Sequence, residues 1–324
     1  MHWKNLKLRT KILAGFSLLL LILAGLGVWA TLGIGNIVDD ASEVIDGNKL
    51  RGEIVQREVD HLNWAAQVSA LITDPEVTEL AVETNPRECG FGKWYYGAGR
   101  KHAEELVPQL RGLLAEIEEP HRHLHESAIA ISEIYQPADL RLPQFLAEKE
   151  GDHLKWLNSL LALFAQGHDH LEVQTDDHKC GLGQFIYGDE GKKAAASDPE
   201  LARLFEQIKE PHARLHQSAI AIDEVWKQRS NPDRKAAAES RAKEIFEEKT
   251  LPALAQTQEV LRALKTRASE KVENLNRANT LFAQQTQPNL AEVQRLLHEV
   301  VETTNSHIMT DAQMLAEAAR PARE

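Results

Sequence analysis

The stretch Glu119-Pro120-His121-Arg122-His123-Leu124-His125-Glu126-Ser127-Ala128-Ile129 returns as Glu210-Pro211-His212-Ala213-Arg214-Leu215-His216-Gln217-Ser218-Ala219-Ile220. Each copy carries two histidines four residues apart in a helix-favouring context. Side chains at that spacing share a helix face, with Cβ atoms about 5–6 Å apart, so two imidazoles can converge on one ion. Upstream, Asp60-His61-Leu62-Asn63-Trp64 pairs with Asp152-His153-Leu154-Lys155-Trp156. Between them, Cys89-Gly90-Phe91-Gly92-Lys93-Trp94-Tyr95-Tyr96 pairs with Cys180-Gly181-Leu182-Gly183-Gln184-Phe185-Ile186-Tyr187. His61 to Cys89 is 28 positions, His153 to Cys180 is 27, and each Cys precedes the first His of its pair by 32. These are the chain's 2 cysteines. Each copy therefore keeps three His and one Cys: His61, Cys89, His121 and His125, then His153, Cys180, His212 and His216. That is the ligand count of a closed tetrahedral zinc site, and soft sulfur with imidazole suits Zn2+ better than magnesium or calcium. Two zinc ions per chain are expected.

The duplication is an internal control on the other histidines. His123 becomes Arg214, His102 falls opposite Lys193, and His168, His170 and His178 have no histidine counterpart in the first copy. These five read as solvated bystanders. Two alternatives compete for the ligand set. Outside the cytoplasm two cysteines commonly pair, which would join Cys89 to Cys180. Glu58-Val59-Asp60-His61 and Glu150-Gly151-Asp152-His153 both spell ExxH, as di-iron bundles do. Such sites need further inward carboxylates, and only Glu119 and Glu210 offer themselves. There is no CxxCH for haem and no HExxH for a zinc hydrolase. Four protein ligands leave no open position for water, so no enzymatic activity and no catalytic residue is expected.

The surrounding sequence reads as all-α. Aromatics make up 6%, while apolar residues recur at three- and four-residue spacing from Ala41 onward. Asp74-Pro75, Gln136-Pro137, Asp198-Pro199 and Asn231-Pro232 mark turns between helices. Glu119-Pro120 and Glu210-Pro211 lie inside a helical pattern, where Pro either opens a new helix or kinks a longer one. A repeat of about ninety residues is the unit of a four-helix bundle. The expected organisation is a basic segment 1–11, an apolar helix 12–38, a first bundle 39–137, a second bundle 138–228 and a helical region 229–324. Within that last region, Ile245-Phe-Glu-Glu-Lys-Thr-Leu-Pro-Ala-Leu254 matches Leu281-Phe-Ala-Gln-Gln-Thr-Gln-Pro-Asn-Leu290 at an offset of 36. It reads as helices that extend or brace the second bundle.

Lys4, Lys7, Arg9 and Lys11 precede Ile12–Val38, 27 residues without an ionisable side chain. That length crosses a hydrocarbon core of about 30 Å as a helix. Basic residues before it and Asp39-Asp40 after it predict a single-pass protein of the cytoplasmic (inner) membrane with its bulk extracytoplasmic. A signal peptide cleaved after Val28-Trp29-Ala30 is the competing reading. A net charge of −12, without a basic block beyond residue 11, argues against a nucleic-acid partner.

The repeated residues resemble the chemoreceptor zinc-binding (CZB) domain, a family of four-helix bundles. His61-Leu-Asn-Trp64, Cys89-Gly-Phe-Gly-Lys-Trp-Tyr95 and His121 to His125 look like one member. His153-Leu-Lys-Trp156, Cys180-Gly-Leu-Gly-Gln-Phe-Ile-Tyr187 and His212 to His216 look like another, with altered aromatic spacing after the cysteine. The resemblance covers roughly residues 42–228. It implies one zinc per bundle held by these ligands, a sensory role and a redox-sensitive cysteine. The whole chain looks like the sensor region of a methyl-accepting chemotaxis protein, whose relatives suggest a homodimer or a signalling partner. It departs from that pattern after residue 229, where no second membrane span, HAMP-like linker or signalling hairpin is seen. A truncated receptor binding another ligand, with zinc as scaffold, is the alternative.

Overall fold

The computed structural model describes residues 7–318, and among them every regular element is helical. Lys4 of the basic segment and the last six residues lie outside the described residues. Helix α1, Leu8–Thr73, is 66 residues long, about 100 Å at 1.5 Å per residue. Its first part is long and apolar enough to cross a membrane, and its leucines, isoleucines and valines stand exposed. From Val44 onward one face turns inward through Leu50, Ile54, His61, Trp64 and Val68. The helix stops where expected, at Asp74-Pro75, because proline disfavours helical backbone in the residue before it.

Helices α2 (Gly90–Tyr95), α3 (Ala98–Leu106), α4 (Leu110–Ile134) and α5 (Leu142–Gln166) follow. Then come α6 (Gly181–Tyr187), α7 (Asp189–Ala196), α8 (Pro199–Trp226) and α9 (Lys235–Ile245). A π turn, Phe246–Thr250, joins α9 to α10 (Leu251–Leu281), and a second, Phe282–Thr286, joins α10 to α11 (Gln287–His307). A short α12, Asp311–Ala318, closes the described chain. Pro120 and Pro211 both sit inside long helices, α4 and α8. Each leaves one carbonyl, of Glu116 or Gln207, without its usual i+4 donor.

The chain forms two compact units. The first takes α1 through Ala70, residues 80–130 and everything described from Phe282 on. Its core joins Leu50 and Ile54 of α1, Phe91 and Trp94 of α2, Leu110, Leu114 and Ile117 of α4, and Val293, Leu296, Leu297 and Val300 of α11. The second takes residues 71–79 and 131–281. One of its apolar clusters runs from Leu146 of α5 and Ile208 of α8 to Leu261 and Leu264 of α10. A second cluster centres on Trp156, Leu160, Leu215, Ile222 and Phe246. His153 of α5 and His212 of α8 fall between these clusters, with His216 beside Leu215 at the edge of the second, so a polar layer interrupts the core.

Of the region 229–324, the residues up to Leu281 lie in the second unit. The apolar face of α11 packs into the first unit instead. Each bundle thus has three long helices, and its third is supplied by one copy of the 36-residue repeat. The second bundle is also pinned by a buried ion cluster. Asp198 caps α8 by accepting from the Leu201 amide at 2.9 Å, and it receives Arg267 Nη2 at 2.7 Å. Lys271, equally buried, donates to the Ser197 carbonyl at 3.1 Å.

Candidate metal centres

The chain brings the eight predicted ligands into two groups, His61–Cys89–His121–His125 and His153–Cys180–His212–His216, in which the ligand atoms of each group all lie within 4.8 Å of one another. Both groups are built alike. The first histidine comes from α1 or α5, the cysteine from the turn opening α2 or α6, and the pair from α4 or α8. All six histidines are buried and both cysteines half-buried.

Each cysteine is the N-cap of its short helix. The Gly92 amide donates to Cys89 Sγ at 3.1 Å, and the Gly183 amide to Cys180 Sγ at 3.3 Å. The cap fixes the sulfur and leaves it facing a histidine: Cys89 Sγ to His121 Nε2 is 3.3 Å, and Cys180 Sγ to His212 Nε2 is 3.2 Å. Those separations suit the edge of a zinc tetrahedron with bonds of about 2.0–2.3 Å. The second glycine of each turn is required by close approach. A Cβ on Gly92 would stand 2.0 Å from the Pro86 carbonyl oxygen, and one on Gly183 1.7 Å from that of Asp177.

Backbone carbonyls orient the imidazoles. His61 Nδ1 donates to the Arg57 carbonyl at 2.7 Å, and His153 Nδ1 to that of Lys149 at 2.7 Å. His125 Nδ1 donates to the Glu83 carbonyl at 3.0 Å, and His216 Nδ1 to that of Gln174 at 2.9 Å. With Nδ1 protonated, Nε2 carries the free lone pair. The Nε2 atoms of His61, His125, His153 and His216 are buried without a hydrogen-bond partner. Buried polar nitrogens are rarely left so, and a cation between them would satisfy all four. This is the observation by which the residues present fit zinc.

The electrostatics point the same way. Burial, reinforced by neighbouring imidazoles, pushes His121 down to about 2, His125 to about 4 and His212 to about 3. Burial also lowers His61, His153 and His216. The imidazoles are thus neutral, as ligation requires. Burial raises both thiols, against the pull of the backbone amides, and a bound dication would reverse that balance.

The tryptophans three residues after His61 and His153 do more than wall the site. Trp64 Nε1 donates to the Glu83 carbonyl at 2.8 Å, and Trp156 Nε1 to the Gln174 carbonyl at 2.9 Å. One carbonyl in each loop therefore holds a tryptophan and a ligand histidine together. Glu83 and Gln174 escaped the sequence reading because they act through the backbone and their side chains differ. A cavity of about 270 Å³ is lined by Asp60, Trp64 and Glu83 together with the ligands His61, Cys89 and His125.

The competing ligand sets fare otherwise. Both cysteines are free thiols, each against its own bundle's histidine. Neither ligand group includes a carboxylate. Glu119 and Glu210 are exposed, and Glu150 receives Lys265 at 2.9 Å. Among the histidines set aside, His102, His168, His170 and His178 are exposed, and the half-buried His123 bonds Arg122.

Residues 61–132 and 153–222 each match the family described as the chemoreceptor zinc-binding domain. No curated protein and no solved structure matches the chain. Each matched segment contains one complete ligand group, so the two helical bundles that hold these groups are similar, in tandem, to that zinc-binding family.

Proposed function

We propose that this chain, with its two tandem chemoreceptor zinc-binding domains, is a membrane-anchored sensory protein that binds one Zn2+ in each bundle. The observation that carries the reading is the doubled convergence of three neutral imidazoles and one thiol, with four partnerless Nε2 atoms aimed inward. Zinc would supply an electrostatic tie, linking helices that otherwise meet across a buried polar layer. Because part of the binding free energy is folding free energy, occupancy would tighten the bundle and loss of an ion would loosen it. Oxidation of Cys89 or Cys180 would remove one of four ligands, so the same sites can report oxidants. The proposal assigns no reaction to the chain, since four protein ligands complete a tetrahedral shell.

The anchor is residues 12–38. Lys7, Arg9 and Lys11 before it and Asp39-Asp40 after it support placement in the cytoplasmic membrane with the bundles on the extracytoplasmic side. Helix α1 runs without a break from this segment to His61, which offers a stiff lever between membrane and metal. Its aqueous part leaves Ile45, Val55, Val59 and Leu62 exposed at spacings of 10, 4 and 3. These positions fall on one seam of a 3.5-residue repeat, which supports a homodimer through α1. The acidic balance supports a protein or membrane partner rather than nucleic acid.

The test is zinc content per chain on full-length protein purified without an affinity metal. Wild type should hold two, and Cys89→Ser and Cys180→Ser one each. Two zinc ions retained in either variant would overturn the assignment.

A further inference from the structure

Four threonines in the two bundles are completely buried: Thr250, Thr257, Thr286 and Thr304. Two behave as helical threonines usually do, bonding back within their own helix. Thr257 donates to the Ala253 carbonyl at 2.8 Å and Thr304 to the Val300 carbonyl at 2.7 Å. The other two end the π turns and bond across to the helix that carries the paired histidines. Thr286 Oγ1 meets Ser127 Oγ at 2.8 Å, and Thr250 Oγ1 meets Ser218 Oγ at 2.8 Å. Each serine follows its ligand histidine by two positions in His125-Glu-Ser127 and His216-Gln-Ser218.

The direction of these bonds follows from proton counting. Ser127 donates its one hydroxyl proton to the Leu124 carbonyl at 2.6 Å, and Ser218 donates to the Leu215 carbonyl at 2.7 Å. The serine oxygen can therefore only accept from threonine. The relay runs Thr O–H to Ser O–H to a carbonyl. That carbonyl belongs to the peptide unit whose nitrogen is His125 or His216. The third helix thus holds the backbone from which a ligand projects.

The π turns explain why these threonines reach across. Pro252 and Pro288 follow the last π residue by two positions. A proline in a regular helix collides with the carbonyl four residues back, and one extra residue in the turn moves that carbonyl away. Leu251 N–H accordingly bonds the Phe246 carbonyl, five residues back. At the end of each turn the threonine hydroxyl bonds to the serine of the neighbouring helix. The motif Phe-x-x-x-Thr-x-Pro, present twice at an offset of 36, is thereby accounted for.

We propose that Thr286 and Thr250 are positioning residues for the two metal sites: through Ser127 and Ser218 they fix the turns bearing His125 and His216, and so couple occupancy of each site to the π turn of its own third helix. The inference rests on the zinc reading above. Its test uses the full-length chain, with each site isolated by Cys180→Ser or Cys89→Ser and titrated against a chelator. Thr286→Val should weaken zinc at the first site on the order of 10-fold, the size of one lost buried hydrogen bond, and leave the second unchanged. Thr250→Val should do the converse, and Thr286→Ser should restore affinity. Thr304→Val removes a buried hydroxyl from the same helix whose bond is local, and should stay within twofold of wild type. Amide hydrogen exchange over residues 282–287 should slow on zinc binding in wild type and in Thr286→Ser, but not in Thr286→Val. Equal affinity losses in Thr286→Val and Thr304→Val, or exchange indifferent to zinc in wild type, would overturn the coupling while leaving the sites intact. A wild-type chain that binds no zinc would overturn the sites and the coupling together.

Discussion

Replacing Trp64 by Phe separates the orienting role of the loop carbonyl from simple packing. The indole of Trp64 donates to the Glu83 carbonyl at 2.8 Å, and the same carbonyl receives His125 Nδ1 at 3.0 Å. Phenylalanine keeps an aromatic face beside His125, whose ring centroid lies 5.0 Å from that of Trp64, but removes the donor. The lost hydrogen bond costs about 1 kcal/mol, and the partial cavity about 1 kcal/mol more. Both losses fall on the segment that holds His125, so they should also appear in metal affinity. Disturbing an outer-shell partner typically weakens a metal 10–100-fold, equivalent to about 1.4–2.8 kcal/mol. The assay is competition against a chromophoric chelator in a Cys180→Ser background, where only the first site can bind. Trp156→Phe in a Cys89→Ser background is the matched experiment, since Trp156 holds the Gln174 carbonyl in the same way. Zinc affinity within twofold of the parent, alongside a clear loss of stability, would refute an orienting role for the tryptophans.

Two other substitutions probe different parts of the account. Gly92→Ala places a Cβ 2.0 Å from the Pro86 oxygen, so the cysteine turn must open; first-site affinity should fall on the order of 100-fold while the second site keeps its ion, as metal content per chain would show. Asp198→Asn keeps a competent helix cap but removes the charge facing Arg267 and Lys271. The Arg267 hydrogen bond leads in drawing the Asp198 carboxyl down to about 2 from 3.8. A depressed carboxyl stabilises the fold above its unfolded value and loses that contribution as pH falls toward the folded one. In chelated protein, urea unfolding followed by Trp156 and Trp226 should show wild type ahead by about 2 kcal/mol at neutral pH, with the gap closing below about pH 4. A gap that does not change with pH would mean that the charge of Asp198 is irrelevant to it.

The ligands were legible because duplication filters chance: the four positions kept in both copies are those the fold brings together, whereas His123 and His102 changed identity. The helical class was legible from spacing, and the ends of α1 and α4 from their prolines. The destination of α11 was not legible. Its apolar stripe of Val293, Leu296, Leu297 and Val300 would suit either bundle, and the hydroxyl pairing with Ser127 joins residues 159 positions apart. Nor could Glu83 and Gln174 be read, since a backbone carbonyl leaves no mark on residue type. The π turns were hidden for a related reason. Pro252 and Pro288 announced a disturbed helix without saying whether it would break, kink or widen.

The central claim is that three imidazoles and one thiolate hold zinc in each bundle, and X-ray absorption at the zinc edge of the two-zinc full-length protein tests it most directly. The account predicts a four-coordinate shell averaging three nitrogens at about 2.0–2.1 Å and one sulfur at about 2.3 Å, with the sulfur contribution absent in the Cys89→Ser, Cys180→Ser double variant. A shell of five or six light atoms without sulfur in the wild-type chain would contradict it.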